Sequence, residues 1–99
     1  MKPIDQLTAE DFAGYLGQGF RPTGSDLELV LVTLDRRERP GWEAAARKPF
    51  ALILRGPHQP ILPEGVHQLA VGGGPALALY VIPIFTAARA HQDYQIVFN

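Results

Sequence analysis

Ninety-nine residues, 46% of them hydrophobic and 19% charged, suffice for one hydrophobic core but not two, and lie far from the composition of a disordered chain. A formal net charge of -1 excludes a whole-molecule field that would draw the protein onto nucleic acid or an anionic membrane, so any such binding has to be local. The absence of cysteine rules out a disulfide scaffold, a thiolate nucleophile and a cysteine-ligated zinc.

The first residues, Met1-Lys2-Pro3-Ile4-Asp5-Gln6, lack the apolar run of a secretory signal. No stretch approaches the roughly 18 apolar residues of a membrane-spanning helix, which makes no membrane and a cytoplasmic location the expectation. A short helix is expected over about 8–16. Thr8 stands where a helix cap is needed, Glu10 and Asp11 bring negative charge to the positive end of the helix dipole, and Gly17 can close the far end. Leu7 and Phe12 have the spacing of a hydrophobic staple, and Phe12, Tyr15 and Leu16 form an apolar stripe. So short a helix is marginal alone, and is read as a lid across one end or flank of a sheet.

Phe20-Arg21 reads as a short strand ended by the turn Pro22-Thr23-Gly24-Ser25. The aliphatic run that follows predicts a strand over about 26–35, with Leu27, Leu29 and Leu31 on one face and Val30, Val32 and Leu34 on the other. Asp35 to Lys48 breaks the pattern and is expected to be a long connection rich in arginine. The next strand, about 49–55, sets Phe50, Leu52 and Leu54 against Ala51, Ile53 and Arg55, and Gly56-Pro57 is expected to stop it. A proline-punctuated segment leads to Pro63-Glu64-Gly65, a tight-turn signal. Strands over about 66–71 and 76–84 flank the hairpin signal Gly72-Gly73-Gly74-Pro75, and Pro83 limits the second of them. A final strand over about 93–98 places Tyr94, Ile96 and Phe98 on one side.

Several of these fragments, in this order, resemble a family of small bacterial single-domain proteins of unknown function. They are Leu7-Thr8-Ala9-Glu10-Asp11-Phe12, Pro49-Phe50, Arg55-Gly56-Pro57, Leu62-Pro63-Glu64-Gly65, Val81-Ile82-Pro83-Ile84 and Tyr94 through Val97-Phe98-Asn99. The turn at Gly72-Gly73-Gly74-Pro75 and the arginine-rich stretch around Trp42 depart from the family pattern. The resemblance implies a compact β-domain with no catalytic residues to carry over. It also implies a link to phage-tail-like or collar-type surface proteins, which favours an assembly or accessory role.

Catalytic chemistry finds little purchase. Ser25 is the sole serine and sits in a turn, without the glycine frame of a nucleophile elbow. His58, His67 and His91 lack the close spacing of a metal-ligand motif, and each reads as a solvent-exposed or hydrogen-bonded histidine. Glu10, Asp11, Asp26, Glu28 and Glu64 show no spacing that marks a catalytic pair. Gly72-Gly73-Gly74 lacks the lysine and following helix of a phosphate loop. Arg36, Arg37, Arg39, Trp42, Arg47 and Lys48 form one local basic and aromatic cluster, suited to an acidic protein surface or to a phosphate backbone with a base stacked on Trp42. The alternative is a solvated connection whose charges protect the neighbouring strand edges.

The expected fold is therefore mainly β, a small antiparallel β-barrel or curled sandwich of five or six strands in one domain over 1–99, with one short N-terminal α-helix. A mixed α+β roll is the alternative. Phe12, Leu16, Leu29, Leu31, Phe50, Leu52, Leu54, Leu69, Leu79, Val81, Ile96 and Phe98 are the expected core. The expected function is a non-enzymatic protein-interaction or assembly module, with an unidentified protein partner or a second copy of the chain. The alternatives are a small-ligand-binding barrel, with or without weak enzymatic activity, and nucleic-acid binding through residues 36–48. No cofactor or metal is implied.

Overall fold

The computed structural model describes residues 3–36, 48–86 and 90–98. A 3-10 turn (Ile4–Gln6) and helix α1 (Ala9–Ala13) precede six strands: β1 (Gly19–Pro22), β2 (Leu29–Arg36), β3 (Phe50–Pro57), β4 (Gly65–Val71), β5 (Ala76–Pro83) and β6 (His91–Phe98). They close into a barrel in the order β1-β2-β3-β6-β5-β4, with β4 pairing back onto β1 and every neighbour antiparallel. Two three-stranded meanders, β1-β2-β3 and β4-β5-β6, thus meet along both outer strands, which leaves no long sheet edge among the described residues.

The register assigns each side chain to the inside or the outside. Phe50 faces Phe98, Leu52 faces Ile96 and Leu54 faces Tyr94 across β3 and β6, all six buried, while Arg55 and Asp93 face each other on the outer surface. Phe20 opposite Leu29, Phe20 opposite Val71 and Leu69 opposite Leu77 continue the interior. Phe12 of α1 plugs one end, its ring centroid lying 5.4 Å from Phe98, 5.9 Å from Phe50 and 6.3 Å from Phe20, while Phe50 and Phe98 stack at 4.5 Å. Tyr94, fully buried, takes the N–H of Leu62 on its hydroxyl at 2.9 Å and so fastens the segment between β3 and β4 to the barrel.

Four expectations about particular elements are corrected. The helix is shorter than 8–16: Asp11 reaches back to accept from the Thr8 amide (2.8 Å) and hydroxyl (3.1 Å), but the chain turns at Gly14. Gly17, at φ 85, then donates its N–H to the Leu31 carbonyl at 2.8 Å. That turn into β1 carries Leu16 off the helical stripe, leaving it 48% exposed rather than in the core. A bulge between Leu31 and Thr33 shifts β2 by one residue, so Leu34 pairs with Leu52 and packs on the core instead of sharing a face with Val32, which is exposed rather than buried. Gly56-Pro57 does not stop β3, because both residues stay in register with Gln92 and His91 of β6, which itself begins earlier than expected.

Candidate functional site

Of the basic cluster, Arg36 ends β2 beside Phe50 and donates to Glu10 of α1 at 2.9 Å. It pins the helix over the barrel mouth, an exposed pair of the kind worth about 0–1 kcal/mol. Lys48 is exposed just ahead of β3. Arg37, Arg39, Trp42 and Arg47 lie outside the described residues. Among the described residues the structure brings Arg36 to the helix.

The outer face of the β4–β5 hairpin carries a different feature. Val66 and Tyr80 are direct cross-strand partners there, 65% and 50% exposed. Ile82, two residues along β5 and half-buried, continues the stripe. The Tyr80 hydroxyl donates to the Glu64 carboxylate at 2.7 Å, and that bond together with the nearby negative charge raises the phenol above its ordinary range. The ring is consequently held in one orientation at the surface. Phe85, just beyond β5, is 94% exposed.

Two open depressions share Glu28. One, of about 450 Å³, is lined by Gly17, Gly19, Arg21, Glu28, Gly72 and Gly73 among others. Gly19 and Gly72 have no room for a side chain there, because a Cβ at Gly19 would collide with Glu28 and one at Gly72 with the Tyr15 ring. Arg21 crosses to Glu28 at 3.2 Å. The other, of about 470 Å³, lies between Ser25–Glu28 and the prolines Pro57 and Pro60.

On the outer face of β3 and β6, two residues from Pro57, Arg55 grips Asp93 with two bonds, of 2.9 and 3.2 Å. The Asp93 carboxylate raises the Arg55 pKa, chiefly through that hydrogen bonding. His91 stands 3.7 Å from the same carboxylate, and His67 donates Nε2–H to the Pro63 carbonyl at 2.7 Å. Among the described residues, no three His, Asp or Glu side chains gather into a metal-holding group, and no helix is long and apolar enough to cross a membrane.

Sequence reasoning missed the Val66–Tyr80 pair, although its signal was present: alternation through Val66-His67-Gln68-Leu69 and Leu79-Tyr80-Val81 assigns both residues to the face opposite Leu69 and Leu79. The class defined by these features is a closed six-stranded antiparallel barrel, filled with side chains and plugged by a short helix. The chain belongs to the family described as a domain of unknown function, DUF6916, whose family model matches residues 7–98. No curated protein and no solved structure matches it.

Proposed function

We propose that the protein is a non-enzymatic interaction or assembly module that engages a protein partner through the outer face of β4 and β5. The observation that carries this reading is the solvent-facing Val66–Tyr80 pair. A tyrosine anchored through its hydroxyl loses little entropy on contact and offers both an apolar ring and a polar tip, the kind of side chain that dominates binding energy at interfaces. The interior favours a role outside the barrel, since Phe12, Phe20, Phe50, Phe98 and Tyr94 occupy it. A phage-tail-like or surface-protein assembly is a setting that suits such a module.

The test is a quantitative pull-down from the native host with the wild type, a Val66→Ser/Tyr80→Ser variant, and a Thr33→Ser control on an exposed position of β2, away from that face. Proteins retained by wild type and control but lost by the double variant support the reading. Identical retention by all three overturns it. Light scattering on the same samples identifies the partner as a second copy where the mass of the wild type alone doubles.

A further inference from the structure

The barrel wall is closed, but the chain just ahead of β2 is not part of the β2–β3 ladder. That ladder begins at Val30 opposite Arg55, yet β3 runs on through Gly56 and Pro57, following Gln92 and His91 of β6 rather than the chain that leads into β2. The segment Ser25–Glu28 therefore departs from its neighbour, and the cleft of about 470 Å³ forms between it and Pro57 and Pro60.

The two walls differ in chemistry. Pro57 and Pro60 have no N–H and present rings, so an occupant can rest on them but cannot accept a bond from their amides. The facing wall is backbone outside the β2–β3 ladder, where the Ser25 amide donates to the Pro22 carbonyl and the Leu27 amide to the Ser25 hydroxyl, with Leu27, packed partly on the core, between Asp26 and Glu28. The residues lining the cleft include these two exposed carboxylates and no base. Glu28 is shared with Arg21 in an ion pair whose side chains are 57% and 50% exposed, a pair weak enough for a second cation to exchange into.

We propose that this cleft docks an extended segment of a partner protein bearing lysine or arginine. A strand-like chain lies along Ser25–Glu28, its basic side chain runs its aliphatic stem over Pro57 and Pro60, and the charged head reaches Asp26 and Glu28. The site is built from β2 and β3 and is independent of the β4–β5 face.

The experiment is an amide-resolved NMR titration of the full chain with the capped peptide acetyl-Val-Lys-Val-Arg-Val-amide and with its acidic counterpart, acetyl-Val-Glu-Val-Asp-Val-amide. The basic peptide is expected to give saturable shifts at Ser25–Glu28 and at His58, Gln59 and Ile61, and the acidic one none. Asp26→Asn/Glu28→Gln, which removes two exposed charges, lowers the affinity about tenfold, and Arg21→Gln, which frees Glu28, raises it about threefold. Shifts spread over remote acidic residues such as Asp5, Glu64 and Asp93 overturn the proposal as a general polycation effect. Equal response to the acidic peptide, no response to either peptide, or an affinity unmoved by the double variant overturns it as well. The dispersed spectrum of each variant shows that it is folded before titration.

Discussion

Replacing Tyr94 by phenylalanine removes one oxygen from the molecule and leaves the interior otherwise full. The ring is fully buried opposite Leu54, and its hydroxyl accepts the N–H of Leu62 at 2.9 Å across 32 residues of chain. Phenylalanine keeps the packing but strands that partly buried amide, so the cost is a hydrogen bond plus incomplete rehydration, about 1–2 kcal/mol. In a domain of this size each kcal/mol moves the midpoint by about 4–8 °C, so calorimetry is expected to show a fall of roughly 4–16 °C. Pro63 and Glu64 remain tied by His67 and Tyr80, both at 2.7 Å. The loosening therefore stays local, and hydrogen exchange accelerates at Leu62 while the β3–β6 ladder keeps its protection relative to global stability. A midpoint within about 1 °C of wild type together with unchanged exchange at Leu62 would refute the assignment of Tyr94 as the fastening of this segment.

Phe12→Ala removes the plug that touches three other phenylalanine rings and is expected to cost about 3–5 kcal/mol by denaturant unfolding. A loss below about 1 kcal/mol would mean that the helix does not close the barrel. Gly73→Ala, at φ 81 with open space around it, is expected to cost about 1–2 kcal/mol. Gly72→Ala, at φ 57, is expected to cost more, because its Cβ would stand 2.6 Å from the Tyr15 ring, and equal losses at the two positions would contradict that contact. Tyr80 ionises above its ordinary 10.0 because Glu64 holds its proton. The folded state thus binds that proton more tightly than the unfolded one, and the associated stability, complete below the unfolded value, is lost as pH rises through the folded one. Ultraviolet titration of Glu64→Gln is expected to show one tyrosine midpoint moved down toward 10.0, whereas superimposable curves would show that the carboxylate does not act on it.

The strands were legible because apolar residues alternate in one face-consistent pattern: Phe50, Leu52 and Leu54 point inward as their spacing demands, and so do Tyr94, Ile96 and Phe98. Closure was less legible, since it depends on β1, only four residues long, joining β4 through Phe20 opposite Val71. The bulge at β2 was hidden because Val32 and Leu34 are both aliphatic, and composition cannot say which of them turns inward. Leu16 misled for a related reason: a helical stripe gives no sign that the chain will turn two residues earlier, at Gly14. The outer-face candidate was visible in the same alternation as the core, but a basic and aromatic cluster draws more notice than a single valine opposite a tyrosine. Arg36, the member of that cluster ending β2, is engaged with Glu10.

The direct test of the account is a hydroxyl-radical footprint of the protein free and in its purified complex, read at individual side chains by mass spectrometry. The account predicts that Tyr80 and Val66 are labelled in the free protein and protected in the complex, while Leu16, about as exposed as Tyr80 but beside α1, is labelled alike in both. Equal labelling of Tyr80 and Val66 in the two states, with protection appearing elsewhere, would contradict it.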